Sequence, residues 1–256
     1  MIRVGVIGAT GKVGAEVCRG VHAEPDLELV AGISRSKAGE KASEALGLEG
    51  SDVVLADQLA SFPQAGVEVA VDFTSASFAP EHVAWAIGHG VHIVVGTTGF
   101  ETDPAWKDAA VGVFVAPNFA IGAVLMQRFA AEAAKHLPAV EIVELHHDGK
   151  ADAPSGTAAA TADAVAAARP ERWTGPSSES LPGARGGERA GIRIHSIRLP
   201  GLVAHQEVIF GGKGQTLTIR HDSTDRTSFV PGVLLAIRWV PKHPGLTVGL
   251  DAILGA

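Results

Sequence analysis

Short apolar runs separated by glycine-rich or polar turns fill the first half of the chain. Arg3-Val4-Gly5-Val6-Ile7 reads as a buried strand. Leu27-Glu28-Leu29-Val30-Ala31-Gly32-Ile33, Val53-Val54-Leu55, residues 67–73, His92-Ile93-Val94-Val95 and residues 111–115 repeat the pattern. Helix-forming stretches over residues 13–21, 80–88 and 103–110 alternate with most of them. This alternation predicts an α/β fold with a Rossmann-like, doubly wound parallel sheet. Ligands of such sheets sit beyond the carboxyl ends of the strands. Here those ends read Thr74-Ser75, Gly96-Thr97-Thr98-Gly99 and Ala116-Pro117-Asn118-Phe119, all rich in small or hydrogen-bonding residues.

From Ala139 the pattern changes. Val140-Glu141-Ile142-Val143-Glu144-Leu145 alternates apolar and acidic residues as a strand does, and a run of helix formers follows Gly156. A loop rich in Pro, Gly and Ser is expected over 170–191. Beyond it come three alternating runs, 192–199, 203–210 and 215–221, divided by Pro200-Gly201 and by Gly211-Gly212-Lys213-Gly214. These predict a second, α+β domain with an open mixed or antiparallel sheet. Its exposed edges would favour pairing with copies of the chain, so association through this sheet is expected. A helix over 229–240 and a strand around Leu246-Thr247-Val248 should return to the first domain. The expected division is residues 1–118 with 228–256 as a dinucleotide-binding domain, and 119–227 as a substrate-binding and oligomerisation domain.

The first strand runs into Gly8-Ala9-Thr10-Gly11-Lys12-Val13-Gly14 and then a helix. Gly8 permits the tight bend, Gly11 lets backbone approach a pyrophosphate and Gly14 lets helix and strand pack closely. This is a dinucleotide-type turn; because its Gly-x-x-Gly-x-x-Gly spacing differs from Gly-x-Gly-x-x-Gly, a glycine-rich strand-helix turn with no ligand is the plain alternative. Strand two usually ends in an acid that binds a ribose diol, whereas this one ends Ile33-Ser34-Arg35-Ser36-Lys37. A guanidinium there would attract a 2′-phosphate. NADPH is therefore expected to serve at least as well as NADH, with Arg35, and with Lys12 or Lys37, near that phosphate.

Residues 144–157, Glu-Leu-His-His-Asp-Gly-Lys-Ala-Asp-Ala-Pro-Ser-Gly-Thr, gather two imidazoles, an ammonium and a helix start. His146 and His147 fall where a strand ends, pointing opposite ways. Gly149 lets the chain turn so that Lys150 can fold back toward His146. Asp152 and Ser155 precede the helix, and Gly156 has no Cβ to hold a carboxylate off its free amides. The combination reads as a proton donor beside an anion trap. The plain alternative is polar residues at a strand end followed by an ordinary helix cap.

Composition removes several classes. With 256 residues, 46% of them hydrophobic, the chain can bury cores for two modest domains. No run approaches the ~20 apolar residues of a membrane span, and Met1-Ile2-Arg3-Val4-Gly5-Val6-Ile7-Gly8 reads as a strand instead of a signal peptide, so a cytoplasmic protein is expected. A net charge of −7 argues against a nucleic-acid surface, and a single cysteine, Cys18, excludes an intrachain disulfide. The absence of tyrosine excludes the Tyr-Lys acid of short-chain dehydrogenases. Cys18, in the first helix, is expected in the core and not as a nucleophile. His195 and His205 lie on second-domain strands, but adjacent histidines diverge and no His-x-x-x-His or Cys pair occurs, so no metal site is expected. Ser155 lacks the Gly-x-Ser-x-Gly elbow of a hydrolase.

Residues 6–14, Val71-Asp72-Phe73-Thr74, Gly96-Thr97-Thr98-Gly99, residues 116–122 and above all His-His-x-x-Lys-x-Asp-Ala-Pro-Ser-Gly-Thr over 146–157 resemble the 4-hydroxy-tetrahydrodipicolinate reductase family, through nearly the whole chain. That resemblance implies an NAD(P)H-dependent oxidoreductase of lysine and diaminopimelate biosynthesis acting on a small dicarboxylate. It implies His146 as general acid or base and Lys150 as a second proton donor. His147, Thr98 and the amides of Gly156 and Thr157 would hold substrate. Gly8, Ala9, Thr10, Gly11, Lys12, Val13, Gly96, Thr97, Thr98, Ala116, Pro117, Asn118 and Phe119 would line the cofactor, NADPH and/or NADH. The alternatives are a dinucleotide-sensing regulator without activity and an aspartate dehydrogenase-like reductase. Intact His146, Lys150 and the anion nest disfavour the regulator.

Overall fold

Strands of the first half of the chain are buried along most of their length, whereas residues 139–146 alternate buried and partly exposed. A computed structural model describes residues 1–175 and 178–255. Two positions of the loop expected over 170–191, Pro176 and Ser177, lie outside the described residues. The chain forms two compact units, Met1–Ile121 with Arg226–Ala256, and Gly122–Asp225.

In the first unit the strands are β1 (Ile2–Ile7), β2 (Leu27–Ile33), β3 (Val69–Asp72), β4 (His92–Val95), β5 (Gly112–Val115) and a last strand, Gly245–Val248. They form a six-stranded sheet in the order last strand, β5, β4, β3, β1, β2. Every neighbouring pair is parallel. Helices α1 (Gly14–Ala23), α2 (Ala42–Ala45), α3 (Ser61–Ala65) and α4 (Ala79–Gly88) lie between the early strands. The apolar strand runs explain this topology: Val69, Ala70 and Val71 of β3 and Ile93, Val94 and Val95 of β4 are each fully buried, as strands covered on both faces must be. Cys18 lies in this core, where burial pushes its thiol up to about 12, so it remains an inert thiol.

The second unit contains α5 (Ile121–Ala134), which starts at the boundary, then β6 (Ala139–His146), α6 (Gly156–Ala168), β7 (Gly187–Arg189), β8 (Ile192–Arg198), β9 (Ala204–Gly212) and β10 (Gln215–Ser223). Its five-stranded sheet has the order β10, β9, β6, β8, β7. Met126, Ala130 and Ala134 of α5 and Ala158, Ala162 and Val165 of α6 pack with Val140, Ile142, Ile192, Ile194, Val208 and Phe210 of the sheet. Small alanines on both helices let them sit close to the strands. Back in the first unit, α7 (Val230–Trp239) packs against α1, and the last strand becomes β11.

Three segments depart from the sequence expectations. Residues 53–55 form no strand; Val54 and Ala56 make single bridges to Lys41 and Ile33, because the run is too short to pair along its length. Residues 103–110 contain a 3₁₀ turn, Pro104–Asp108, capped by the Asp103 side chain. The 170–191 loop contributes β7, which pairs with β8. The run 192–199 pairs parallel with β6, so of the two arrangements expected for the second sheet the mixed one forms.

The glycine turn is closely packed. A Cβ on Gly14 would lie 2.1 Å from the Gly8 carbonyl oxygen, a backbone atom with little freedom to yield. Gly14→Ala is therefore expected to destabilise the first unit by about 1–3 kcal/mol or more. Urea titration checks this: the midpoint should fall with the m-value preserved, and an unchanged midpoint would show that the turn can relax.

Candidate active site

Backbone hydrogen bonds shape the turn after β1. The amides of Gly8 and Ala9 both donate to the Ile33 carbonyl, at 3.1 and 2.9 Å, and the Gly11 amide donates to the Gly8 carbonyl at 2.9 Å. Gly8 has φ of +80°, a conformation side chains disfavour, and a Cβ on it would lie 2.8 Å from the Phe73 oxygen. Ala9 is buried, Thr10 shares a 2.6 Å hydrogen bond with Ser34, and Lys12 is exposed. Val13, just before α1, supplies no side-chain cap to the first-turn amides of that helix.

A cavity of about 690 Å³ opens beside this turn, lined by Gly8, Thr10, Ser34, Arg35, Asp57, Phe78 and His82 with their neighbours. The Arg35 guanidinium carbon sits 5.4 Å from the centre of the Phe78 ring, and that ring stacks on His82 at 6.2 Å. His82 is held from behind: its Nδ1 lies 2.5 Å from Asp72, a fully buried carboxylate. Asp72 also accepts from the Thr74 amide at 2.8 Å, the Thr74 hydroxyl at 2.8 Å and the Thr97 hydroxyl at 3.0 Å. Lys37, expected near a phosphate, instead pairs with Glu40 at 2.9 Å.

Asp57, Phe78, His82 and Asp72 were not singled out from sequence. Asp57 reaches the cavity because the 53–57 segment bridges to the end of β2, with the Ser34 amide donating to the Ala56 carbonyl at 2.8 Å. An acid thus enters from a neighbouring segment, although β2 itself ends without one. Asp72 did leave a signal, a carboxylate closing an apolar strand. His82 left none, since only the fold carries it from α4 to that carboxylate.

At the other two strand ends, most side chains are committed to packing. A Cβ on Gly96 would fall 2.1 Å from the Phe73 ring, and Thr97 is buried in the Asp72 network. Ala116 is buried, and Phe119 packs on Phe73 and Phe114 with ring centres 5.8 and 6.0 Å away. Asn118 Oδ1 accepts from the Ala120 amide at 2.9 Å. Thr98 and Pro117 are exposed. What these ends offer a ligand is chiefly backbone, together with the Thr98 hydroxyl.

In the second unit, His146 is the last residue of β6, and its side chain is 14% exposed. Its Nδ1 makes a short hydrogen bond to Glu144, whose side chain is fully buried. Arg198, at the end of β8, grips the same carboxylate with Nη1 at 2.9 Å and Nη2 at 2.8 Å. The Ser155 amide donates to it at 3.3 Å. Burial pushes the Glu144 carboxyl up, but the hydrogen bonds from His146, Arg198 and Ser196 outweigh this and hold it at about 2. Neither Glu144 nor Arg198 was anticipated as part of the site. Glu144 was legible as the acid that shares its side of β6 with Val140 and Ile142; Arg198 needed the strand pairing.

His147 is exposed, and its carbonyl accepts from the Lys150 amide at 3.1 Å, closing the turn. Lys150 was expected to fold back toward His146. Its ammonium donates to both oxygens of Asp152, at 2.7 and 2.8 Å, since that carboxylate is only two residues away. The Lys150 hydrogen bond in turn keeps the Asp152 carboxyl below its ordinary value. The Ala153–Pro154 peptide is cis. Ser155 caps α6 through its hydroxyl, which accepts from the Ala158 amide at 3.2 Å. A Cβ on Gly156 would meet nothing within 4 Å, so the helix start is open above its backbone. Among the described residues no cluster of His, Cys, Asp or Glu is arranged to hold a metal ion.

Comparison with known proteins agrees in both units. Residues 2–119 match the family model for the N-terminus of dihydrodipicolinate reductase, and residues 122–254 match that for its C-terminus. A 4-hydroxy-tetrahydrodipicolinate reductase of Nocardia farcinica is 50% identical over 99% of this chain and 98% of its own length. That of Mycolicibacterium smegmatis is also 50% identical, over 99% of each chain. A solved dipicolinate-bound dihydrodipicolinate reductase from Paenisporosarcina sp. TG-14 superposes with a TM-score of 0.86 at 43% identity, covering 99% of both chains. The chain belongs to the dihydrodipicolinate reductase family.

Proposed function

We propose that the chain catalyses the NAD(P)H-dependent reduction of (S)-4-hydroxy-2,3,4,5-tetrahydrodipicolinate to tetrahydrodipicolinate with loss of water, in lysine and diaminopimelate biosynthesis. The single observation that carries this reading is the 146–157 segment: a partly exposed imidazole at a strand end, an ammonium and an open helix start within twelve residues. Family membership supports the same reaction. An aspartate dehydrogenase-like activity has no observation in its favour.

The residues of the first unit fit a nicotinamide dinucleotide. Gly8, Ala9 and Gly11 offer it a close backbone approach, Thr10, Lys12 and Val13 offer backbone donors, and the backbone of Gly96, Thr97, Thr98, Ala116, Pro117, Asn118 and Phe119 offers further contact surface. The bound nicotinamide supplies a hydride. Arg35, already stacked on Phe78, would meet a 2′-phosphate, while Asp57 in the same cavity would accept from a ribose diol. Both NADPH and NADH are then usable.

The second unit supplies charge and a proton. Gly156 and Thr157 amides, with His147, hold carboxylates of the substrate, a role supported by the dipicolinate-bound relative, and Thr98 of the first unit is a further substrate-binding candidate. Lys150 exchanges Asp152 for a substrate carboxylate and serves as a second donor. His146 delivers a proton from Nε2 to the electron-rich carbon beside the reduced one, since Nδ1 is taken by Glu144. No helix among the described residues is long and apolar enough to cross a membrane. We assign the chain to the cytoplasm and, through the open edges of the second sheet, to a homotetramer.

His146→Gln and Lys150→Ala are each expected to lower kcat by about 10²–10⁴-fold with the fold intact, as loss of a general acid does. Assay with freshly generated substrate and circular-dichroism melting measure this, and near-normal turnover in either variant rejects its role. Arg35→Ala should raise KM for NADPH by about tenfold, equivalent to about 1.4 kcal/mol, and leave NADH little affected. Asp57→Asn should do the reverse, so parallel KM determinations with both cofactors decide the assignment.

A further inference from the structure

Glu144 does more than neutralise an arginine. Its two oxygens receive His146 Nδ1, both terminal nitrogens of Arg198 and the amide of Ser155, the residue that caps α6. Arg198 extends the arrangement, donating from Nη2 to the Asp152 carbonyl at 2.7 Å. One fully buried carboxylate therefore ties the proposed proton donor to the loop and helix start proposed to hold the substrate's anionic groups. A bidentate arginine already balances a buried carboxylate. The imidazole is an additional partner of that carboxylate, and it ends β6 at the edge where Arg198 ends β8.

We propose that Glu144, clamped by Arg198, is the positioning residue of this site: it fixes His146 with its proton on Nδ1 and its Nε2 free to serve the substrate, and it ties that ring to the Ser155–Thr157 anion nest. The inference rests on the reading of His146 as proton donor. An ionised carboxylate can only accept, so Nδ1 must be the donor and the ring is held in one tautomer. The same charge opposes the guanidinium. Without it, Arg198 would disfavour the imidazolium that must form before proton transfer. Other charged groups nearby are Lys150 with its partner Asp152, exposed His147 and Asp148, and, on β9 opposite Leu145, His205 held by Asp222 at 2.6 Å. None of these bonds to the His146 ring in place of Glu144.

Glu144→Gln tests the idea, because its amide keeps the volume but presents an N–H to His146 once its oxygen stays with Arg198. Nitrogen-15 NMR of histidine-labelled protein should show neutral His146 protonated on Nδ1 in the wild type and on Nε2 in the variant. With the tautomer wrong, kcat should fall by roughly 10²–10⁴-fold, as seen when a histidine's orienting carboxylate is replaced by amide. Glu144→Asp should retain the wild-type tautomer and part of the rate. A folded Glu144→Gln protein with wild-type tautomer, or with undiminished kcat, overturns the proposal. Should that variant not fold, an Nε2-protonated neutral His146 in the wild type overturns it equally. His146→Gln separates the two levels: near-normal turnover there removes the proton-donor reading itself, whereas a dead His146→Gln beside an unaffected Glu144→Gln removes only the positioning role.

Discussion

An ionised carboxylate shut away from water must be surrounded by donors, and in the second unit Glu144 sets the positions of everything that meets it. The pairing of the strands follows the same requirement. β8 runs parallel to β6, with Arg198 in register with His146 and Ser196 in register with Glu144. Parallel strands end on the same edge of a sheet, so the guanidinium, the imidazole and the loop that leads to α6 converge there. In an antiparallel pairing the end of β8 would lie at the opposite edge, and the carboxylate would lose its arginine. The mixed sheet is thus a condition for the cluster.

The first unit solves a similar problem with a different balance. Asp72 ends β3, is fully buried and holds His82 through Nδ1, as Glu144 holds His146. Its remaining donors are the hydroxyls of Thr74 and Thr97 and one amide; no guanidinium enters. Hydroxyls and amides satisfy lone pairs without adding charge. The Asp72 network therefore fixes the ends of β3 and β4 against one another and presents a His82 face to the cavity. The Glu144 cluster adds a fixed cation beside an imidazole. One arrangement suits the shaping of a pocket wall, the other the control of a proton.

Much of this was legible before any coordinates. Continuous apolar runs such as Val69-Ala70-Val71 are forced into a doubly covered sheet, and Gly8 and Gly14 admit no side chain, so the parallel sheet and its glycine turn followed from local patterns. The 146–157 segment was legible because its chemistry is contiguous. What escaped lies across strands. Arg198 is 54 residues from Glu144 and meets it only through pairing register, and Asp57 reaches the cavity beside the glycine turn through two isolated bridges that no periodicity announces. Residues 53–55 show the limit from the other side: strand composition without enough length gives a bridge, not a strand.

Global and local charge also pull in opposite directions. The chain carries a net −7, yet its proposed ligands are anions. Beyond about 8–10 Å physiological salt screens that repulsion, so attraction has to come from groups in direct contact. Amides at the glycine turn and at α6, and the guanidinium of Arg35, are of that kind: fixed dipoles and charges that need little rearrangement to receive a ligand. Lys150 is different, since it is already paired with the carboxylate of Asp152. For an incoming dicarboxylate this is an exchange of one carboxylate for another, so the gain in charge attraction is small and the gain in orientation large. In the proposed reaction Lys150 would then contribute mainly by where it holds the substrate relative to His146, and the fixed amides of Gly156 and Thr157 would contribute most of the recognition of charge.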